Sequence, residues 1–324
     1  MLVLVAVELD EYGALTSAST GLICAARRFG DPVAVVASPH DPEQLVAALA
    51  AQGAVEVVTA THPLAVPATS VGLAQAVVAA AAPTRPDVVL APHTRVGCET
   101  AARVAVALGG SLLTDAIDVS AEEGVRTTHS VLGGRWTTVA RPLRKPAVIT
   151  VRPGAITDGP VPVGEPRRRA DRIDPEPRLV EEVVSVVQRA SSGSRPELRS
   201  APVVVSGGRG LGSAEAFALV GELADELGGA VGASRAAVDA GYAPQTAQVG
   251  QSGASVAPDL YLALAISGAM QHEAGMSRSR SVVAVNLDPS APIFDIADFG
   301  VVGDVHTVIP ALVAELRSRK AGAR

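Results

Sequence analysis

Aromatic residues make up only 2% of this 324-residue chain. With 48% hydrophobic residues overall, its cores must be filled by alanine, valine and leucine. Small apolar side chains let helices lie close on a sheet, which favours layered α/β packing. The same scarcity argues against an aromatic platform for single-stranded nucleic acid. A basic excess is missing too: the formal net charge is −6, whereas a nucleic-acid binder carries a positive surplus. Cys24 and Cys98, the two cysteines, form neither a CxxC pair nor a zinc spacing. They read as small buried hydrophobes in a reducing cytoplasm. No uncharged apolar run reaches ~18 residues, so no membrane span or insertion is expected. The apolar run Met1–Val7 is short, lacks a preceding basic region and meets Glu8, Asp10 and Glu11 at once. It reads as a first buried strand rather than a signal peptide.

The length favours two domains. Residues 1–110 alternate short apolar runs with helical patterns. Strands are expected over Leu2–Val7, Val33–Ala37, Val55–Val58 and Val88–Pro92, each near-continuously apolar, as strands covered on both faces are. Helices fit over 16–29, 41–52, 69–82 and 97–108. Asp41 suits an N-cap, Pro42 a first helical position and Gly53 a stop, while Pro83 and Gly109-Gly110 end the later two. This order implies a parallel sheet with right-handed crossovers. Over 111–151 the pattern changes to short β runs at Val125–Val131, Arg135–Ala140 and Ala147–Val151. Gly133-Gly134 supplies a hairpin turn, so a few antiparallel strands are expected to close the domain. This half has neither GxGxxG nor a Walker A loop. His93–Gly97 follows a strand end, where α/β ligands bind, but an ordinary strand-to-helix turn explains it.

Residues 152–200 read as a connector, rich in proline, with Arg167-Arg168-Arg169 as a solvated face. Val180–Val187 alternates weakly as one strand, and Ser191–Ser200 is polar and flexible in composition. The boundary is placed between an N-terminal α/β domain, 1–195, and a C-terminal domain, 196–324. There, strand Val203–Val205 is followed by the glycine-rich Ser206–Gly212 and a helix over 213–227, with Phe217, Val220, Leu223 and Leu227 on one face. Such a turn lets backbone N–H groups approach an anion, and Arg209 adds a charge suited to phosphate. A purely structural turn fits the spacing as well. Further strands, Gly229–Gly232, Tyr261–Ile266, Ser281–Val285 and Phe299–Val302, lead into Ala233-Ser234-Arg235, Ser267 to His272, Asn286 and Gly303-Asp304. Gln248-Val249 enters Gly250–Gly253 between them. In a parallel sheet these ends share one edge and can converge on one ligand.

Paired acid/base carboxylates, HExxH, GxSxG and a Cys–His nucleophile arrangement are all lacking. His40, His62, His93, His129, His272 and His306 are scattered, which argues against a metal site. Phosphate cradles and hydrogen-bond donors remain, suited to an extended dinucleotide that carries the chemistry itself.

At these residues the sequence resembles the alpha subunit of the electron-transfer flavoproteins. The likeness runs without a gap through SGGRGL at Ser206–Leu211, AVGASRAAVDAG at Ala230–Gly241 and VGQSG at Val249–Gly253. It continues in APDLY at Ala257–Tyr261, ISGAMQH at Ile266–His272 and VNLDPSAPIF at Val285–Phe294, then through Asp298–Gly300 to Asp304. The first half is similar only in length, strand pattern and hairpin region. The resemblance implies a doubly wound C-terminal domain holding one FAD. A beta subunit, with AMP or a second FAD of its own, would complete a heterodimer. Carried over, it implies cofactor contacts from Arg209, Ser234, Arg235, Val249, Gly250, Gln251, Ser252, Ser267, Gly268, Ala269, Met270, Gln271, His272, Asn286 and Asp304. Arg235 would lie over the isoalloxazine, His272 near O2 and Ser252 near N5, with Asn286 and Asp304 towards the ADP half. A guanidinium and an imidazole there stabilise charge gained on reduction.

The expected role is an electron carrier without its own substrate turnover, between flavin dehydrogenases and a quinone reductase, in fatty-acid β-oxidation or another catabolic route. Rival readings are a flavin- or nicotinamide-dependent oxidoreductase subunit with its own substrate, an inert FAD-holding module, and an ATP-binding first domain. Turnover without a partner flavoprotein marks the first rival and FAD that ignores reductants the second; the missing phosphate loop weighs against the third. Four positions depart from the family pattern: Ser252 for threonine, Ala216 for asparagine, Ala254 for lysine or arginine, and Leu287 for lysine. The two missing cations imply a less favourable reduced flavin or an altered partner preference, with FAD retained.

Overall fold

Short apolar runs bounded by turn residues build two separate parallel sheets. The computed structural model describes residues 1–10, 12–66, 69–132, 134, 136–174, 195–199 and 201–322. These fall into two compact units divided in sequence within 175–194, except that Leu132 and Gly134 group with the second. The expected boundary at 195/196 adjoins that segment, and the weak strand expected at Val180–Val187 lies outside the described residues.

In the first unit β1 (Val3–Val7), β2 (Pro32–Ser38), β3 (Glu56–Thr61) and β4 (Val88–Pro92) run parallel. The helices α1 (Ser17–Ala26), α2 (Val46–Gln52), α3 (Val71–Thr84) and α4 (Arg95–Leu108) follow them in turn. Alternate strand residues feed two apolar layers, one with Val5, Ala34 and Leu90, the other with Leu4, Val35 and Val89. Two helix ends differ from expectation. The segment after Asp41 opens as a 3-10 turn, Glu43–Leu45, with the Asp41 carboxylate accepting from Glu43 N–H at 3.0 Å. Helix α3 carries Pro83 in its last turn. There the Thr84 hydroxyl donates to the Ala80 carbonyl at 2.9 Å and Arg85 N–H closes on Ala81, so the loss of one late N–H does not stop the helix earlier.

The remaining strands are β5 (Ser111–Ser120), β6 (Arg126–Val131), β7 (Trp136–Ala140), β8 (Ala147–Val151) and β9 (Arg167–Arg172), giving the order β7-β6-β5-β8-β4-β1-β2-β3-β9. The antiparallel addition is β5-β6-β7, in which β6 and β7 match the expected runs and β5 was not expected. Strand β8, by contrast, is parallel and inserted between β4 and β5. Of the two expected turn glycines, Gly134 takes φ 88°, and Gly133 lies outside the described residues. The arginine run, expected as a solvated face within the connector, forms the edge strand β9, parallel to β3, with Arg167 and Arg168 exposed. Exposed Arg167 and Arg168 pair with Glu56 and Glu43, and half-buried Arg169 pairs with Asp171; charged edges resist pairing with other chains.

The second unit contains β10 (Val203–Gly207), α5 (Ala214–Leu227), β11 (Ala230–Ala233), α6 (Arg235–Asp239), β12 (Leu260–Leu264), α7 (Met270–Met276), β13 (Val282–Asn286), β14 (Phe299–Val302) and α8 (Val305–Gly322). All five strands are parallel, in the order β11-β10-β12-β13-β14. One face is covered by α5 and α8 through Phe217, Val220, Leu223, Val305, Ile309 and Val313. Burying each such side chain contributes roughly 1.5–3 kcal/mol. The other face packs Val204, Tyr261, Ala263 and Ala284 against Val249, Val256 and Met276. The architecture is therefore two α/β units, the second doubly wound.

Candidate functional site

Strand order reverses at β10: the chain leaves it for β11 on one side, then crosses to β12 on the other. Crevices beyond the carboxyl ends of strands at such a point are where open α/β sheets bind ligands. A cavity of about 530 Å³ opens there, within the roughly 300–1,000 Å³ range of cofactor pockets. Its position depends on close backbone approach. Gly208 N–H donates to the Leu264 carbonyl at 2.8 Å, and a Cβ on Gly208 would clash with the Ala265 carbonyl oxygen. Ala265 itself sits in the left-handed region at φ 54°, which turns the chain away from β12 and opens the crevice.

The opposite wall is the turn 248–254. Val249 N–H donates to the Ala233 carbonyl at 2.9 Å, Gln251 N–H to Gln271 at 2.7 Å and Ala254 N–H to Gln248 at 2.7 Å. A Cβ on Gly275 would collide with the Gly250 backbone, so a glycine in α7 lets this turn seat directly on the helix. Ser234 caps α6 by accepting from Ala237 N–H at 3.2 Å, and its own N–H holds the Gly207 carbonyl at 2.9 Å.

Of the expected site residues, Arg209, Ser234, Arg235, Val249, Gly250, Gln251, Ser252, Ser267, Ala269, Gln271 and His272 line this cavity. Four do not. Gly268, at φ 85°, packs its backbone on Ile293. Met270 opens α7 and is 43% exposed. Asn286, at the end of β13, donates to the Ile266 carbonyl at 2.8 Å and accepts from Asp288 N–H at 3.0 Å. Asp304, beyond β14, accepts from His306 N–H at 2.9 Å. Both lie on the same sheet edge as the cavity, at the ends of β13 and β14, one and two strands beyond β12. Sequence reasoning missed Gly210, Ala236, Asp239, Gln248, Ala265 and Ile266 among the lining residues. Gln248 leads into the 250–253 turn, and Gly210, Ala236, Asp239 and Ile266 fall within the stretches that carry the family resemblance, but nothing in the sequence singles them out as lining residues.

The cavity is cationic at its mouth. Arg209 is exposed and makes no ion pair among the described residues. Arg235 pairs with Asp239 at 3.4 Å, both well exposed, so the pair is weakly held. His272 is buried. Its Nδ1 lies 3.1 Å from the Val249 carbonyl oxygen and its Nε2 2.9 Å from the Tyr261 hydroxyl. Burial drives its pKa down to about 4, against the partial support of the Val249 carbonyl. The imidazole is thus neutral at physiological pH, and any charge it stabilises is met by a dipole rather than a cation. Apolar Ala236, Val249, Ala265 and Ile266 complete the walls. This donor set, two arginines with hydroxyls and amides above glycine-mediated backbone approach, fits a phosphate-bearing cofactor. No cluster of metal-ligating side chains occurs among the described residues.

The fold and the cavity define a doubly wound protein with a cofactor-sized crevice lined by backbone and two arginines. Comparison with known proteins narrows the class. Residues 3–173 match the electron transfer flavoprotein domain, and residues 197–277 match the electron transfer flavoprotein FAD-binding domain. The chain is 44% identical over 321 residues to the electron transfer flavoprotein subunit alpha of Mycobacterium leprae, covering 98% of each. It is 46% identical over 335 residues to that of Mycobacterium tuberculosis, covering 98% of this chain and 99% of the other. To that of Paracoccus denitrificans it is 61% identical over 131 residues, 40% of this chain and 42% of the other. The chain belongs to the electron transfer flavoprotein alpha-subunit family, and its role is that of an electron-transfer flavoprotein with a flavin-binding domain.

Proposed function

We propose that this chain is the FAD-holding alpha subunit of a heterodimeric electron carrier. It takes electrons from flavin dehydrogenases and passes them to a quinone reductase, without turning over a substrate of its own. The observation that carries this reading is the cavity at the β10/β12 switch point, inside the segment matched as FAD-binding. Bound FAD supplies the redox chemistry. The chain's residues hold and bias it. Arg209, with no ion-pair partner among the described residues, takes the diphosphate, and Ser234, Gly250 and Gln251 add donors around it. Arg235 leaves its weak pair with Asp239 to face the ring system, where a cation favours added electron density. Val249, Ala265, Ile266 and Ala269 exclude water, and Ser252, Ser267 and Gln271 supply polar contacts. Asn286 and Asp304 extend the site along the sheet edge towards the adenosine end, with Gly268, Met270 and His272 shaping the turn between.

The partner is a beta subunit, a pairing that the likeness to proteins described as alpha subunits supports, and that subunit carries AMP or a second FAD. The domain boundary is placed at 195/196. Among the described residues no helix is long and apolar enough to cross a membrane, which accords with a cytoplasmic carrier. The test is to purify the chain with its small subunit and record the visible spectrum before and after adding a flavin dehydrogenase with its substrate. A yellow complex that bleaches is expected. A colourless complex, or a yellow one that never bleaches, overturns the reading.

A further inference from the structure

We infer that Gln248 is a positioning residue of this cavity: its buried amide fixes the Ser252 hydroxyl as a hydrogen-bond donor, so the ligand must present an acceptor there. The inference rests on the FAD reading and specifies what that site demands at one point.

Gln248 is 3% exposed, while Ser252 is exposed at the cavity wall. The Gln248 Nε2 donates to Ser252 Oγ at 2.9 Å. At its other end, Gln248 Oε1 accepts from Gln245 Nε2 at 3.1 Å. The donors therefore run in one direction, from Gln245 through Gln248 to Ser252. A serine hydroxyl has one hydrogen and two lone pairs. With an amide N–H directed into one lone pair, its hydrogen turns away from Gln248, towards the cavity that Ser252 lines. The geometry is held by backbone as well as side chain. Gln248 N–H bonds the Gln245 carbonyl at 3.1 Å and the Gln248 carbonyl accepts from Ala254 at 2.7 Å. A Cβ on Gly253 would clash with the Gln248 carbonyl and press on its Cγ, so the glycine makes room for the amide. Burying a primary amide is costly unless its groups are partnered, and here the partners are the Gln245 amide and the one hydroxyl of the 249–253 turn.

The variant that separates this from packing is Gln248→Glu. An ionised carboxylate at 248 accepts the Ser252 hydrogen and turns it out of the cavity. FAD affinity and midpoint potential are measured at alkaline pH on the chain purified with its small subunit. The variants are Gln248→Glu, Ser252→Ala and the double variant, each checked for folding by thermal melting. Ser252→Ala is expected to weaken FAD binding about two- to tenfold, the range of one hydrogen bond. Gln248→Glu is expected to weaken it at least about twofold more with Ser252 present than with alanine at 252, a coupling within that same range. It should also move the potential in the same direction as Ser252→Ala. Equal losses in the two backgrounds leave only the new charge and overturn the inference, as does a silent Gln248→Glu, which means that Ser252 already donates to residue 248. Gln248→Met gives the same comparison without charge if the glutamate variant fails to fold. It too should weaken binding only with Ser252 in place, and equal behaviour in both backgrounds overturns the inference. A folded wild type that binds no FAD overturns the flavin reading, and with it this inference; a wild type that binds FAD while the coupling is absent overturns this inference alone.

Discussion

The Tyr261 hydroxyl lies 2.9 Å from Nε2 of His272, and the two rings are tilted with centroids 6.0 Å apart. Nδ1 of the same imidazole faces the Val249 carbonyl, which can only accept. The proton therefore sits on Nδ1, Nε2 is the lone pair, and tyrosine is the donor. Tyr261 is wholly buried on β12, and burial pushes its phenol well up, so it stays protonated. Tyr261→Phe leaves Nε2 buried without a partner. The expected cost is about 1–3 kcal/mol, seen as a lower urea midpoint of the cofactor-free chain. An unchanged midpoint means that the hydroxyl contributes nothing to holding the imidazole.

The same burial makes stability depend on pH. His272 titrates near 4 when folded and near its ordinary 6.5 when unfolded. Between these values the unfolded chain binds the extra proton, so its contribution is full above about 6.5 and is lost as pH falls towards about 4. The loss amounts to about 3 kcal/mol at most. Urea midpoints of wild type and His272→Gln across this window provide the check. The wild type should fall more steeply, and parallel curves mean that the imidazole titrates normally in the fold.

These two residues also mark the limits of the sequence. His272 and Tyr261 were legible as strand-end and strand positions, because β12 is an apolar run that stops at a glycine turn. The hydrogen bond between them depends on which face Tyr261 takes, and that is set by packing. Strands β4 and β14 carry the bounds read from the sequence because each is a short apolar run with a sharp stop. Strand β5 escaped notice because its polar residues alternate irregularly, with a register shift between Leu113 and Ala116 and Asp115 at φ 60°. Strand β9 has four arginines and no apolar signal; its order comes from pairing with β3 and from Glu43 and Glu56. Helix α8 was missed although Val305, Ile309 and Val313 recur at helical spacing. The side-chain role of Gln248 was not legible either, since a single buried amide in a turn has no periodicity.

Arg209 separates phosphate binding from ring binding. It stands on the 3-10 turn Arg209–Leu211, between β10 and α5, exposed at the cavity. Charge-assisted bonds to phosphate contribute roughly 1.5–3 kcal/mol. Arg209→Ala should therefore weaken FAD and ADP binding by about ten- to a hundredfold, with riboflavin binding unchanged. Titrations of the three ligands against wild type and variant decide it. Equal losses for riboflavin and FAD place Arg209 at the ring instead.

The two missing cations are separable by burial. Leu287, just past β13, is 69% exposed, whereas Ala254 is 7% exposed and packs with Val249, Val256 and Met276. Leu287→Lys should leave stability within about 0.5 kcal/mol, as surface substitutions do. Ala254→Lys starts a charged side chain inside an apolar cluster and should cost about 1–3 kcal/mol unless its ammonium reaches water. A cation near the ring favours the electron-richer state, so both substitutions should raise the flavin midpoint potential. Salt should suppress the effect of the exposed lysine more strongly, because screening acts on exposed charges first. A redox titration of each variant at low and high ionic strength, with the rate of reduction by a partner dehydrogenase, is the measurement. If neither the potential nor the rate moves, residues 254 and 287 do not tune the flavin, and the departures from the family pattern at these positions are neutral.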